Sequence, residues 1–389
     1  MKYLKIVVIL VVIAALFNYF RPLPRASANF YSLSASSPPI STITWPKVKQ
    51  SAVGAVGLGP LANSGNQKPV PIASIAKLMT AVAVLKQKPI SDLTPMPSIT
   101  FHQSDIDLYN KYLAEDGSVV PIKVGQKMTE FQALQAMLIP SANNIADSLA
   151  IWTFGSIKAY TAYANRLAAD YKMTNTHIND ASGFSAKTTS SANDLITLGQ
   201  VVMQDPVLSK IVGQKQLRLP IAGKITNTNK LLGIGGVSGI KTGNTDEAGG
   251  CYLFAFNKTI GGQPITILGA ILGAKDLETA LNDAPTVIEQ TKSSFIFNEI
   301  KAGSQPVGQY KSAWGSIAGI VTDASVPEIT WPGQAPQVTF QADTVHTSAK
   351  TGQKIGRVSA VNADNTVTAN LKLSSDLKGP SFSWRLFRL

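Results

Sequence analysis

The stretch Pro71-Ile-Ala-Ser74-Ile-Ala-Lys77-Leu-Met-Thr80-Ala-Val-Ala-Val-Leu85 constrains the fold more than any other part of the chain. Ala, Leu and Met are strong helix formers, and Pro71 stands where a first turn tolerates it. Past the first turn the segment is apolar on every side, which marks a helix buried inside a large protein. Ser74, Lys77 and Thr80 interrupt that surface at steps of three, so Ser74 and Lys77 share one face of the first turn. A buried ammonium is costly, and Lys77 must therefore be paired or give up its proton. A neutral lysine beside a serine hydroxyl is a general base beside a nucleophile.

The rest of the composition narrows the chemistry. At 389 residues the chain can bury a substantial core and exceeds the usual size of one domain. A hydrophobic fraction of 44% with 15% charged residues is that of a globular protein. The formal charge of +12 suits work near an anionic surface, such as a lipid headgroup layer or a cell wall. Nucleic acid is not expected as a partner, because no dense Lys/Arg run or aromatic-basic motif accompanies the charge. Cys251 is the single cysteine, which excludes an intrachain disulfide, and no Cys/His cluster points to a metal. Three histidines, His102, His177 and His346, and the lack of a Gly-x-Ser-x-Gly elbow leave a Ser-His-Asp machine poorly supported.

Residues 1–28 read as a targeting segment. Lys2 and Lys5 precede the apolar run Ile6 to Phe17, and Ala26-Ser-Ala28 offers a cleavage site. Arg21, Pro22, Pro24 and Arg25 speak against cleavage, and a retained segment would set Tyr19 and Phe20 at the membrane interface. Signal and anchor both stay open; in either case the protein is exported. Residues 29–47 are rich in Ser and Pro and read as a linker. A strand at Ser51 to Leu58 and a turn around Asn63 to Asn66 lead into the Ser74 helix.

Residues 89–127 are mixed, with a strand pair expected around Gly117 to Val124. Helices are expected at Glu130 to Leu138, Asn144 to Phe154, Ile157 to Tyr171, Ala192 to Met203 and Asp276 to Asn298. Strands are expected at Val237 to Gly243, Cys251 to Phe256 and Pro264 to Leu272. After Lys301 the chain turns to short β-prone runs between Gly, Pro, Asn and Asp, so residues 302–389 read as a small all-β domain behind a catalytic domain at 48–301.

Two further motifs bear on Ser74. Ser141-Ala-Asn143 precedes a helix, and Lys241-Thr-Gly243 lies on a strand before Cys251. Together they supply a hydroxyl to relay a proton, an amide to hold a substrate and a cation to attract a carboxylate. A glycine beside the cation lets substrate lie along the strand edge. Each motif alone is cheap: Ser-x-x-Lys recurs at Ser238/Lys241 and Ser375/Lys378, Ser-x-Asn at Ser191/Asn193, and Lys-Thr-Gly at Lys350-Thr-Gly352. Context separates the copies. Only Ser74 opens an apolar helix, Ser191 reads as an N-cap, and Lys350 stands in a polar turn. The ordered set 74, 141, 241 in one domain is the strong signal.

With these residues in hand, residues 48–301 resemble the serine-type D-Ala-D-Ala carboxypeptidases, low-molecular-mass penicillin-binding proteins of the S11 kind. The resemblance runs through Ala73 to Thr80, Leu138 to Asn143, Thr174 to His177, Asn179 to Gly183, Asn227 to Leu232 and Gly239 to Thr245. Family members often carry Asp after the Ser-x-Asn motif, where this chain has Asn144. The end of the chain, Trp384 to Leu389, shows no evident amphipathic anchor. The resemblance implies an α+β fold: an antiparallel sheet packed between helices, with the site between a helical part and the sheet edge.

It also implies roles: Ser74 as nucleophile, Lys77 as base, Ser141 as proton relay, and Asn143, Lys241, Thr242, Gly243 and Asn244 as substrate-binding residues. No cofactor or metal is implied. The expected substrates are peptidoglycan stem peptides, with β-lactams as inhibitors, at the extracytoplasmic face of a bacterial membrane. A β-lactamase is the first alternative, but class A enzymes deacylate with a Glu between the second and third motifs, and Ser141 to Lys241 contains no Glu. An inactive wall-binding scaffold is the second.

Overall fold

The computed structural model describes residues 2–31, 43–90, 97–332, 338–345, 347–362 and 365–388. Most of the segment read as a Ser/Pro linker, including Ser32 to Pro39, and His346 lie outside the described residues. The chain forms two compact units, Ile40–Phe295 and a second made of Met1–Pro39 with Ile296–Leu389.

The first unit is the α+β assembly that the motifs imply. Its five-stranded antiparallel sheet runs in the order Val237–Thr245, Gly249–Ile260, Gln263–Ala274, Gln50–Ala55 and Gly59–Gly65. The helices Ala192–Gln204 and Leu277–Ser294 pack on it. A helical part comprises Lys77–Gln87, Gln103–Ala114, Glu130–Leu138, Asn143–Phe154 and Ile157–Asp170. The helix Lys77–Gln87 is at its centre, with every residue from Lys77 to Leu85 buried, as its all-round apolar surface requires. The strand Val237–Thr245 forms one edge of the sheet and lies against the turn that opens this helix.

Several local expectations are corrected. Asn63, Ser64 and Gly65 belong to the strand Gly59–Gly65, where pairing with Gln50–Ala55 overrides their turn propensity. Residues 117–124 form an extended loop instead of a strand pair, and Gln103–Ala114, in the stretch read as mixed, is a helix. That loop satisfies its backbone by other means. The Asn143 amide donates to the Ser118 carbonyl at 2.7 Å, and the Asn144 side chain both accepts from the Val120 amide (3.1 Å) and donates to its carbonyl (3.0 Å). Asn144 thus braces the loop. The helix expected to reach Asn298 stops at Ser294, because Ile296–Ile300 pairs with Val326–Thr330 in the second unit. The units therefore divide after Phe295, ahead of the expected boundary at residue 301.

The second unit contains a six-stranded antiparallel sheet in the order Ser27–Phe30, Gly308–Lys311, Ile317–Thr322, Asn365–Leu373, Lys354–Asn362 and Val338–Ala342. Tyr310, Ile320, Val326, Ile355, Val358 and Leu371 fill its core. Ser27–Phe30, divided between the expected targeting segment and linker, is an edge strand of this sheet. The helices Lys2–Phe20 and Phe382–Phe387 complete the unit.

Removing the Asn144 amide strands two buried backbone groups of the loop. Asn144→Ala is expected to lower the free energy of unfolding by about 2–3 kcal/mol. Urea denaturation checks this; a loss within about 0.5 kcal/mol would mean that the loop does not depend on that brace.

Candidate active site

The site starts from one strained turn. Ala73 holds a positive φ of 46°, a conformation that a residue with a Cβ rarely adopts, and a 3₁₀ turn over Ala73–Ala76 leads into the helix Lys77–Gln87. In a 3₁₀ turn the side chains at i and i+3 eclipse, which stacks Lys77 on Ser74 more directly than an α-helical turn does. The Lys77 Nζ donates to Ser74 Oγ at 2.8 Å, to Asn143 Oδ1 at 2.7 Å and to the Ser182 carbonyl at 2.9 Å. All three partners are uncharged.

Burial therefore governs the titration of Lys77. Desolvation lowers its pKa to about 7, opposed by the carboxylates of Asp180 and then Asp147. An ordinary lysine near neutrality is a free base in about one molecule in a few thousand. With its pKa lowered to about 7, Lys77 holds far more free base near neutrality than that.

A second pair adjoins the first. Ser141, also at a positive φ of 68°, precedes the helix Asn143–Phe154 and accepts from Lys241 Nζ at 2.9 Å. Lys241 also donates to the Thr242 carbonyl at 3.0 Å. Its burial, with some repulsion from Lys77, holds its pKa well below the ordinary lysine value. The hydroxyls of Thr242 and Thr228 meet at 2.6 Å. Gly243 lets the strand edge approach the Ser74 turn: a Cβ there would sit 3.0 Å from each of Ala73 Cβ, the Ile72 carbonyl and the Ser74 amide. Asn244 is exposed at the rim.

The structure thus brings together Ser74, Lys77 and Asn143 around one ammonium nitrogen, and joins Ser141 to Lys241. It leaves the duplicate motifs elsewhere. Lys350 is exposed in an ion pair with Asp376 at 2.9 Å, and that carboxylate also accepts from the Thr351 amide and hydroxyl. Ser191 caps the helix Ala192–Gln204 by accepting from the Asp194 amide. His177 is exposed, and Cys251 is buried with its thiol pKa pushed up to about 11.

Sequence reasoning assigned no role to a supporting layer. Asp180 accepts from the Ser182 and Thr188 hydroxyls and from the amides of Phe184 and Ser185, which holds the Ser182 carbonyl toward Lys77. Tyr112 donates to Asp147 Oδ2 at 2.8 Å and lies 3.4 Å from the Ser182 hydroxyl. Burial raises the Asp147 carboxyl to about 6. Gly183, at φ 73°, packs so closely that an added Cβ would overlap the Ala73 carbonyl at 1.9 Å. The run Asn179 to Gly183 was visible as text, but nothing local in it predicts which carbonyl faces a lysine.

The chain is similar to several known proteins. A family model described as D-alanyl-D-alanine carboxypeptidase matches residues 59–274. The chain is 27% identical over 234 residues to the D-alanyl-D-alanine carboxypeptidase of Streptomyces sp. (strain K15), spanning 55% of this chain and 76% of that protein. It is 21% identical over 337 residues to the D-alanyl-D-alanine carboxypeptidase DacF of Bacillus subtilis, spanning 83% of each. Among solved structures, the Streptomyces K15 DD-transpeptidase superposes with a TM-score of 0.57 at 23% identity, covering 67% of this chain and all of that one. Penicillin binding protein 5 from Haemophilus influenzae does so with a TM-score of 0.60 at 18% identity, covering 87% of this chain and all of that one. At these identities the two superpositions establish the fold.

If Lys77 is the base, its neutral form sets the acidic limb of the reaction. The rate of acylation by a penicillin is expected to fall about tenfold per pH unit below about 7 and to level off above it. Asp147→Asn removes a charge that raises the Lys77 pKa, so the limb should move to lower pH. Stopped-flow acylation across pH checks both; a limb that stays in place in the variant would sever the link between Asp147 and the base.

Proposed function

The chain belongs to the D-alanyl-D-alanine carboxypeptidase family of serine peptidases, and on that premise we propose that it trims the terminal D-Ala from peptidoglycan stem pentapeptides through an acyl-enzyme on Ser74. The observation that carries the reading is the 2.8 Å hydrogen bond from a buried Lys77, poised near neutrality, to the Ser74 hydroxyl. Ser74 Oγ attacks the carbonyl carbon of the penultimate D-Ala while Lys77 takes its proton. The oxyanion rests on the backbone amides of Ser74 and Asn244, a contribution of about 3 kcal/mol per donor. The C–N bond then breaks, with the Ser141 hydroxyl giving its proton to the departing D-Ala amine and regaining the one that Lys77 took, which leaves Lys77 neutral again. Water attacks the Ser74 ester and releases the shortened peptide, and the proton it sheds returns the site to its starting state.

Asn143 holds the peptide, and Lys241 and Thr242 face its terminal carboxylate, with Gly243 and Asn244 lining the strand edge along which it lies. A carboxylate arriving beside Lys241 offsets the burial that depresses its ammonium, so substrate itself restores the charge that binds it. The same acyl-enzyme chemistry accounts for inhibition by β-lactams. The β-lactamase alternative gains no observation, because the stretch from Ser141 to Lys241 has no Glu.

Ser74→Ala should abolish covalent labelling by a fluorescent penicillin, and persistent labelling would remove Ser74 from this role. Lys241→Ala should reduce D-Ala release from a pentapeptide by 10²-fold or more, on the order expected when a desolvated charge partner is lost. Lys350→Ala, which breaks only an exposed ion pair, should leave release within about twofold. Mass spectrometry of the products reads both; equal losses in folded variants would place the site on the wrong copy.

The working location that follows is the extracytoplasmic face of the cytoplasmic membrane. It is supported by the basic-then-apolar N-terminus and by the helix Lys2–Phe20, whose stretch Tyr3–Phe20 is long and apolar enough to cross a bilayer. Protease added to intact spheroplasts should digest the protein; full protection would refute this location.

A further inference from the structure

The candidate cleavage site Ala26-Ser-Ala28 is built into folded structure. Ala26 is buried and bridges Val345, its amide donating to the Val345 carbonyl at 2.9 Å. Ser27, Ala28, Asn29 and Phe30 pair residue by residue with Lys311, Tyr310, Gln309 and Gly308. Phe30 stacks on Phe340 with ring centroids 4.5 Å apart. Gly308 is needed for this fit, because a Cβ there would sit 2.6 Å from the Asn29 carbonyl. Removal of residues 1–28 would cut this strand in the middle and uncover the core around Tyr310 and Val345.

A second attachment holds the far end of the same segment. The helix Lys2–Phe20 leaves its last carbonyls without helical partners, and Arg388 supplies one. Its guanidinium donates to the Asn18 carbonyl through Nε (3.2 Å) and Nη2 (2.8 Å), and Nη2 also reaches the Arg21 carbonyl. Asn18 answers with Nδ2 donating to the Leu386 carbonyl at 3.1 Å. The Tyr19 ring packs 5.8 Å from that of Phe382, and the Arg385 guanidinium lies 5.5 Å from the Tyr19 ring. The helix Phe382–Phe387 is in turn fixed to the β unit. Trp384 meets Trp314 edge-on at 5.6 Å, and the Trp314 indole donates to the Lys378 carbonyl at 2.6 Å.

We propose that the N-terminal helix is a permanent element of the folded protein, a membrane span fastened to the β unit by the strand Ser27–Phe30 and by the Arg388 clasp. Tyr19, Phe382 and Trp384 then lie at the headgroup level of an anionic bilayer. The occupant follows from continuity and charge. The clasp sits at the end of the apolar helix, where aromatic rings favour the interface. Arg385 and Arg388 stand against Tyr19 and the Asn18 and Arg21 carbonyls, Arg25 follows Arg21 in the chain, and residues 1–31 and 377–389 contain no Asp or Glu. The inference rests on the envelope location proposed above and is independent of the catalytic reading, since its readouts are a mass and a fluorescence signal, not an activity.

The test uses the full chain. Protein extracted from the membranes of expressing cells should show an intact mass that includes residues 2–28; a mass lacking them overturns the retention. The same protein in phosphatidylglycerol vesicles with acyl chains brominated near the headgroup should show quenched tryptophan emission, and Trp384→Phe should lose a quenched component. An unquenched Trp384 overturns the interfacial placement. Arg388→Ala should reduce the quenching of Trp384 by about twofold or more as the clasp opens. Unchanged quenching in that variant, with wild-type circular dichroism in both variants, overturns the clasp.

Discussion

The first unit depends on taking the Lys77 ammonium out of water. An ammonium so placed must find a carboxylate, lose its proton or make the structure yield. Here its direct partners are a hydroxyl, an amide oxygen and a peptide carbonyl, none of them charged. Desolvation therefore outweighs attraction, and the more remote carboxylates of Asp180 and Asp147 only moderate it. A carboxylate in direct contact would have held the ammonium charged. The helix that carries Lys77 can hold it this way because its own surface is apolar on all sides and surrounded by core.

That arrangement needs neighbouring backbone at close range, and the strain is local. Ala73 and Ser141 both adopt left-handed conformations, a cost of about 1–3 kcal/mol each, and both flank or carry one of the two serine hydroxyls that accept from a buried lysine. Gly183 and Gly243 bring two further segments against Ala73 and the Ser74 amide, where a side chain would overlap at Gly183 and crowd its neighbours at Gly243. Asp180 then fixes the Gly183 segment by accepting from Ser182, Phe184 and Ser185, and Asn144 fixes the neighbouring loop at Val120. The result is a site whose parts come from four separated stretches of chain and whose supports are mainly backbone contacts.

Lys241 and Lys350 show what environment does to one motif. Both precede Thr and Gly. Lys241 is buried against the Ser141 hydroxyl, with its pKa held down by desolvation. Lys350 is 86% exposed and neutralises Asp376, an ion pair of the kind that contributes little in water. In the second unit, environment also bears on the N-terminal helix. Its sequence alone fits a leader or a structural element, whereas in the fold a sheet strand, Ser27–Phe30, lies beyond it and Arg388 donates to its Asn18 carbonyl.

The sequence by itself determined whatever depends on neighbours a few positions apart. It set Ser74 and Lys77 on one face of one turn, predicted a helix too apolar to be exposed, and ranked the motif copies by their flanking residues. The family resemblance, also carried by sequence, implied the antiparallel sheet between helices. Tertiary structure decided whatever depends on residues far apart in the chain. It alone chose the Ser182 carbonyl as the third partner of Lys77, and set Asp147 and Asp180 near enough to tune it. It ended the helix at Ser294 because Ile296–Ile300 had a strand to pair with. It also drew Ser27–Phe30 into a sheet whose partner strand lies 284 positions away at the Ser27–Lys311 contact. The reason is physical: helix periodicity and capping are written in adjacent residues, whereas burial, pKa and strand pairing belong to surfaces that exist only after the chain has folded.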